Sequence, residues 1–173
     1  MRSSKIVITL GIMFVLAVTV AARADKVTAD YDHAVDFSQY KTFMWMQKPE
    51  CKDPFIEERI VTAVNTELVN KGLIQVGDGA DLAVGANLAM QEKDTRETYD
   101  DGSGWGWSGW STTKMRKYEV GILTVDLFDG HRKTLAWQGV AVGEVSADPT
   151  QRTRQTFREI EKMFKDYPLK IHH

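Results

Sequence analysis

Residues 118–144, YEVGILTVDLFDGHRKTLAWQGVAVGE, constrain the fold of this chain more than any other stretch. Leu123, Val125 and Leu127 recur at period two, and Val120, Ile122 and Phe128 bring apolar side chains to the other parity. A strand that is apolar on both sides belongs inside a sheet, so this segment is predicted to be central. Asp129-Gly130 supplies turn chemistry, because glycine accepts positive φ without a Cβ clash, and a second strand follows from about residue 134 to 144. On that strand Gly139, Ala141 and Gly143 leave one face nearly bare, which predicts a seat for a closely packed helix.

Elements that can complete a sheet around this hairpin lie on both sides of it. Val27, Ala29 and Tyr31 alternate with polar residues in a short first strand, and residues 41–46 make a second after a turn pinned by Phe37 and Tyr40. Asp53-Pro54 opens a helix well, since Asp caps free N–H groups and Pro at the first position loses no bond. Ile56, Ile60, Ala63, Val64 and Leu68 then form one apolar stripe, and Gly72 closes the helix. A short edge strand is predicted over 73–76 and a half-buried strand over 82–90, where Leu82, Val84, Ala86, Leu88 and Met90 alternate. The polar, glycine-rich residues 92–113 read as a long exposed connection. Asp148-Pro149 starts a second helix, predicted to bury Thr153, Phe157, Ile160, Phe164 and Tyr167 before Pro168 stops it. This order predicts an α+β fold, a mostly antiparallel sheet with two helices packed on one face.

The N-terminus carries a different signal. Arg2 and Lys5 precede an apolar run over 6–20, and Ala22-Arg23-Ala24 places small residues where a signal peptidase reads them. Residues 1–24 are therefore expected to be a signal peptide and 25–173 a single domain, secreted across the inner membrane into the periplasm. The 173-residue chain has a net charge of −2; Arg2, Lys5 and Arg23 leave with the signal and no acidic residue does, so the mature balance is −5. That acidity argues against a nucleic-acid partner. Cys51 is the one cysteine, so no intrachain disulfide can form, and no cysteine follows the apolar run to take a lipid.

Several segments resemble one family when taken in order. These are Val27-Thr28-Ala29-Asp30-Tyr31-Asp32, the run Asp36-Phe37-Ser38-Gln39-Tyr40-Lys41-Thr42-Phe43-Met44-Trp45, Ala80-Asp81-Leu82-Ala83-Val84, the strand from Gly121 to Leu127, Leu135-Ala136-Trp137-Gln138-Gly139-Val140-Ala141, and Phe164-Lys165-Asp166-Tyr167-Pro168. Together they resemble the bacterial envelope proteins grouped as domain of unknown function 4136. The resemblance implies a secreted or membrane-tethered α+β domain, commonly a lipoprotein, and brings no catalytic residues with it. This chain departs from the lipoprotein pattern by lacking a cysteine at the cleavage site, which favours a soluble periplasmic form.

No nucleophile elbow, zinc-protease motif or phosphate loop is present. The expectation is a non-catalytic binding or scaffolding protein of the envelope, with no cofactor, no metal and no catalytic residue. The candidates for contact are Trp105, Trp107 and Trp110, three indoles in a glycine-rich run. Indole faces suit sugars, a membrane interface or an apolar groove, so the expected partner is an envelope protein, glycan or membrane surface. The bland alternative folds them back on a sheet edge. The rival reading is an envelope hydrolase using strand-end carboxylates. Asp126 is its first candidate, because a carboxylate among apolar residues needs a partner; Asp129, His131, Asp30, Asp32 and His33 are the other groups that can collect there. The arginines Arg152, Arg154 and Arg158 read as a solvated helix face.

Overall fold

The structure is a computed structural model and describes residues 26–99 and 112–168. The strands are β1 (Lys26–Tyr31), β2 (Thr42–Gln47), β3 (Ile74–Gln75), β4 (Leu82–Tyr99), β5 (Thr112–Asp129) and β6 (Leu135–Glu144), and the helices are α1 (Pro54–Asn70) and α2 (Pro149–Phe164). They build one sheet in the order β1-β6-β5-β4-β2-β3. The pairs β1–β6, β6–β5 and β5–β4 are antiparallel, whereas β2 runs parallel to both β4 and β3. The α+β class, the mostly antiparallel sheet and its two helices follow the sequence expectation.

Strand β5 lies inside the sheet, but its two faces differ. Leu123, Val125 and Leu127 are buried with Leu82, Val84 and Ala86 of β4 and Trp137 and Ala141 of β6, under Ile60, Val64 and Leu68 of α1 and Ile160, Met163 and Phe164 of α2. Ile122, Thr124, Asp126 and Phe128 on the other face are half-buried. The indole of Trp137 stacks on Phe164 at a centroid distance of 4.6 Å. The bare face of β6 is the helix seat: a Cβ at Gly139 would stand 2.6 Å from the Trp137 ring and 3.1 Å from Met163.

Asp53 and Asp148 cap the helices as expected, accepting from the backbone N–H groups of Phe55 and Gln151. Gly72 leaves α1 at φ 85°.

Three expectations need correction. Residues 92–99 and 112–113 are strand, so the connection between β4 and β5 shrinks to 100–111. Gly130 does not carry the left-handed step of its turn. That step falls on Lys133 at φ 58°, and Gly130 is needed because a Cβ would lie 2.2 Å from the carbonyl oxygen of Ala80. On α2, Phe157 is exposed and Met163 is buried. Arg152, Gln155, Thr156 and Glu159 of this helix line the cleft beside the sheet, which leaves Phe157 facing away from it.

Candidate functional site

Two features stand out above the common scaffold: a saturated carboxylate at one end of the sheet and a projecting ribbon at the other. The carboxylate is Asp129, at the end of β5. One oxygen accepts from the Tyr40 hydroxyl at 2.9 Å and from Nε of Arg132 at 2.8 Å. The other accepts from the backbone N–H groups of His131 and Arg132 at 2.9 and 2.7 Å. Burial alone would raise this carboxyl, but the Arg132 backbone and guanidinium, the Tyr40 hydroxyl and the His131 N–H outweigh it and hold the group well below the usual carboxylate range. Burial and the bond to Asp129 in turn push the Tyr40 phenol up. With all four bonds made inside the protein, Asp129 ties the chain before β2 to the β5–β6 turn and is spent as a structural anion.

Asp81 works in the same way nearby. Its Oδ2 accepts from the N–H groups of Lys41 and Thr42 and from the Thr42 hydroxyl. The Lys41 bond is the largest influence, and the carboxyl lies below its ordinary value. Exposed His131 stands 3.7 Å from Oδ1.

The remaining polar candidates do not converge. Asp126 is half-buried on the open sheet face and accepts from Nε2 of Gln138 at 2.7 Å, its neighbour across the ladder. Asp30 and Asp32 accept from the adjacent backbone of Tyr31 and Ala34, and His33 lies against the ring of Tyr31. No group of three or more His, Cys, Asp or Glu suited to a metal occurs among the described residues. The Cys51 thiol is pushed up by burial and by Glu57 and Asp53, the opposite of nucleophile activation.

The ribbon is formed by the distal halves of β4 and β5. Their pairing runs unbroken from Leu82 opposite Asp129 to Tyr99 opposite Thr112, while β6 stops at Glu144 opposite Val120. Eight residue pairs, from Glu92–Glu119 to Tyr99–Thr112, therefore extend past the rest of the sheet. At about 3.3 Å per residue they reach roughly 26 Å. Arg116 of the ribbon bridges Glu144 at the end of β6 at 2.6 Å.

Two hollows flank the ribbon base. A cleft of ≈ 60 Å³ between the helices and the sheet is walled by Ile56, Ile60, Leu88, Met90 and Leu123, with Gly121 on its floor. A wide groove of ≈ 900 Å³ beside α2 is lined by both signs of charge, among them Glu92, Arg116, Glu144 and Arg152. Arg152 is engaged there, donating to the carbonyls of Ser146 and Ala147.

Trp105, Trp107 and Trp110 belong to residues 100–111, which lie outside the described residues, as does the expected signal 1–24. The ribbon has no apolar signature in the sequence, because 92–99 and 112–119 are mostly polar and charged. Sequence reasoning also left Tyr40 and Arg132 out of the set around Asp129, since the Tyr40 contact spans 89 residues of chain. No helix among the described residues is long and apolar enough to cross a membrane.

The family model described as "Domain of unknown function (DUF4136)" matches residues 27–169. A DUF4136 family protein from Bacteroides thetaiotaomicron has a similar structure, with a TM-score of 0.58 at 16% identity over 83% of this chain and 96% of that one. PelC from Paraburkholderia phytofirmans, solved as a dodecamer, gives 0.52 at 10% identity, covering 81% and 95% of the two chains. A PDZ domain protein from Parabacteroides distasonis gives 0.58 at 15% identity over 84% of this chain, which spans only 36% of that protein's length. These likenesses establish the fold alone. No curated protein matches the chain.

Proposed function

The chain belongs to the DUF4136 family, and within it we propose that this protein acts in the bacterial envelope, after secretion to the periplasm, as a non-catalytic binding protein that makes contact through its ribbon. The observation that carries this reading is the extension of β4 and β5 eight residue pairs beyond their neighbours. A two-stranded ribbon of that length gains no core of its own by projecting, which makes contact with another surface its natural use. The chain that joins its two ends contains Trp105, Trp107 and Trp110. Indole faces suit a glycan or a bilayer interface.

Contact rather than catalysis is supported by what the carboxylates do. Asp129 spends both oxygens on the fold, Oδ2 of Asp81 accepts from Lys41 and Thr42, and Asp126 bonds across the ladder to Gln138. The apolar run before Ala22-Arg23-Ala24 supports secretion.

Co-sedimentation of the protein with peptidoglycan and, separately, with lipid vesicles tests this reading. Replacing Trp105, Trp107 and Trp110 together by Ala is expected to abolish binding to one of the two and to leave the unfolding curve unchanged. Binding that survives the triple replacement, or wild-type protein that pellets with neither, removes the Trp-bearing ribbon as the contact element.

A further inference from the structure

The outer edge of β4 is a long open template. Strand β2 lies beside β4 only as far as Gly85, opposite Gln47, and among the described residues no strand pairs with that edge over 86–99. An edge of this length either is blunted or is used. The orientation of its backbone groups follows from one bond. Val145 N–H donates to the carbonyl of Glu119 at 2.8 Å, so the backbone of Glu119 faces away from β4. Glu119 stands opposite Glu92, which makes theirs a non-hydrogen-bonded pair and turns the N–H and C=O of Glu92 outward as well. The β4–β5 register has no shift along its length, so Met90, Glu92, Asp94, Arg96 and Thr98 all offer their backbone groups to the open edge.

We propose that two copies of this chain pair through this edge, antiparallel, in a register centred on Thr95. The edge reads Gln91-Glu92-Lys93-Asp94-Thr95-Arg96-Glu97-Thr98-Tyr99. Outward-facing residues must oppose outward-facing residues, so a twofold axis can pass only through a residue and not between two. Within the charged stretch, an axis at Glu92, Lys93, Asp94, Arg96 or Glu97 sets that residue against its own charge. An axis at Thr95 sets Thr against Thr, Asp94 against Arg96 and Lys93 against Glu97, each charged pair occurring twice by symmetry, with no like charges opposed. In the same register Asp94 and Arg96, and Glu92 and Thr98, are the pairs that exchange backbone bonds, about eight in all. The two ribbons then form one four-stranded sheet, a strand addition in which main-chain bonds hold the partner and the charge order selects the register. The distal end of each ribbon comes to the base of the other, beside Met90 and the cleft it lines.

Sedimentation equilibrium of the purified protein over about 1–100 μM is expected to show a dimer. Asp94→Pro removes an outward N–H and spares the β4–β5 ladder, so it is expected to give a folded monomer. Lys93→Glu opposes like charges twice and is expected to weaken the dimer about tenfold or more. The swap Lys93→Glu with Glu97→Lys restores the opposition and is expected to restore the dimer, which a merely damaged ribbon cannot do. In a Cys51→Ser background, Thr95→Cys is expected to form an intermolecular disulfide on mild oxidation, since a non-hydrogen-bonded pair brings its two Cα atoms to about 4.5 Å, within disulfide reach. A wild-type protein that stays monomeric across this range overturns the proposal. So does a dimer indifferent to Asp94→Pro and Lys93→Glu, and failure of the charge swap overturns the register. None of these variants touches Trp105, Trp107 or Trp110, so the outcome is separate from that of the envelope-contact reading.

Discussion

One strand contains both environments of this molecule. Over residues 120–128, β5 has β4 on one side, β6 on the other and two helices above it; over 112–119 its strand neighbour is β4 alone. The backbone pairing with β4 is the same throughout. What changes at Val120 is the side chains, from Leu123, Val125 and Leu127, all buried, to Met115, Arg116 and Lys117, all exposed. Backbone bonds thus fix where the strand runs, and apolar burial fixes where it contributes stability. The distal half depends on the proximal half for its existence, because an isolated two-stranded ribbon is marginal in water.

The largest expected effect lies where the strand is enclosed. Leu127 is 0% exposed and sits beside Trp137, its partner across the ladder. Leu127→Ala is expected to cost about 3–5 kcal/mol in urea-unfolding free energy, a lost transfer energy plus a cavity that the rigid sheet cannot close. A loss under about 1 kcal/mol would show that the proximal half is not the stabilising half.

At the end of the same strand the stabilising device changes from packing to charge. Asp129→Asn removes the anion that four donors surround, and a loss of about 2–3 kcal/mol is expected near pH 7. The pH dependence has a definite sign. The folded carboxyl lies below its unfolded value, so its stabilisation is complete above about pH 5 and is lost as pH falls below about 4, where the unfolded chain takes up the proton first. Wild type and Asp129→Asn are therefore expected to converge as pH drops from about 6 to 3. Parallel curves over that range would mean that the carboxylate charge is irrelevant to the fold.

These two regions also mark what could be read from sequence and what could not. The enclosed halves of β5 and β6 and the α1 stripe were legible because burial writes a period of 2 or 3.6 into the side chains. The ribbon was not, because the sequence of 92–99 and 112–119 is mostly polar at both parities. Hydrophobic periodicity is silent there. Phe157 turns outward on α2 although it shares the apolar stripe, because periodicity places a stripe but not the angle at which a helix crosses its sheet. The Asp-Gly pair marked a turn correctly for an incomplete reason: the close approach to the Ala80 carbonyl, not φ, demands glycine at 130. For the candidate site, the composition around Trp105, Trp107 and Trp110 attracted notice, but that they join the ends of a projecting ribbon required the strand pairing.

The smallest expected effect is the sharpest probe of the contrast. Met115 lies on β5 twelve residues before Leu127 and is 63% exposed. It stands opposite Arg96 in the β4–β5 register. Its truncation removes atoms that water already touches and opens no cavity, so Met115→Ala is expected to change the unfolding free energy by no more than about 0.5 kcal/mol. Measured beside Leu127→Ala in the same urea series, it compares an open and an enclosed position of one strand. Equal losses in the two variants would mean that something covers the ribbon in solution. If the ribbon edges of two copies pair, Met115 still stays outside the shared edge, because β4 and not β5 supplies that edge; its near-zero cost is therefore expected at both low and high protein concentration, while the Leu127→Ala cost stays large at both.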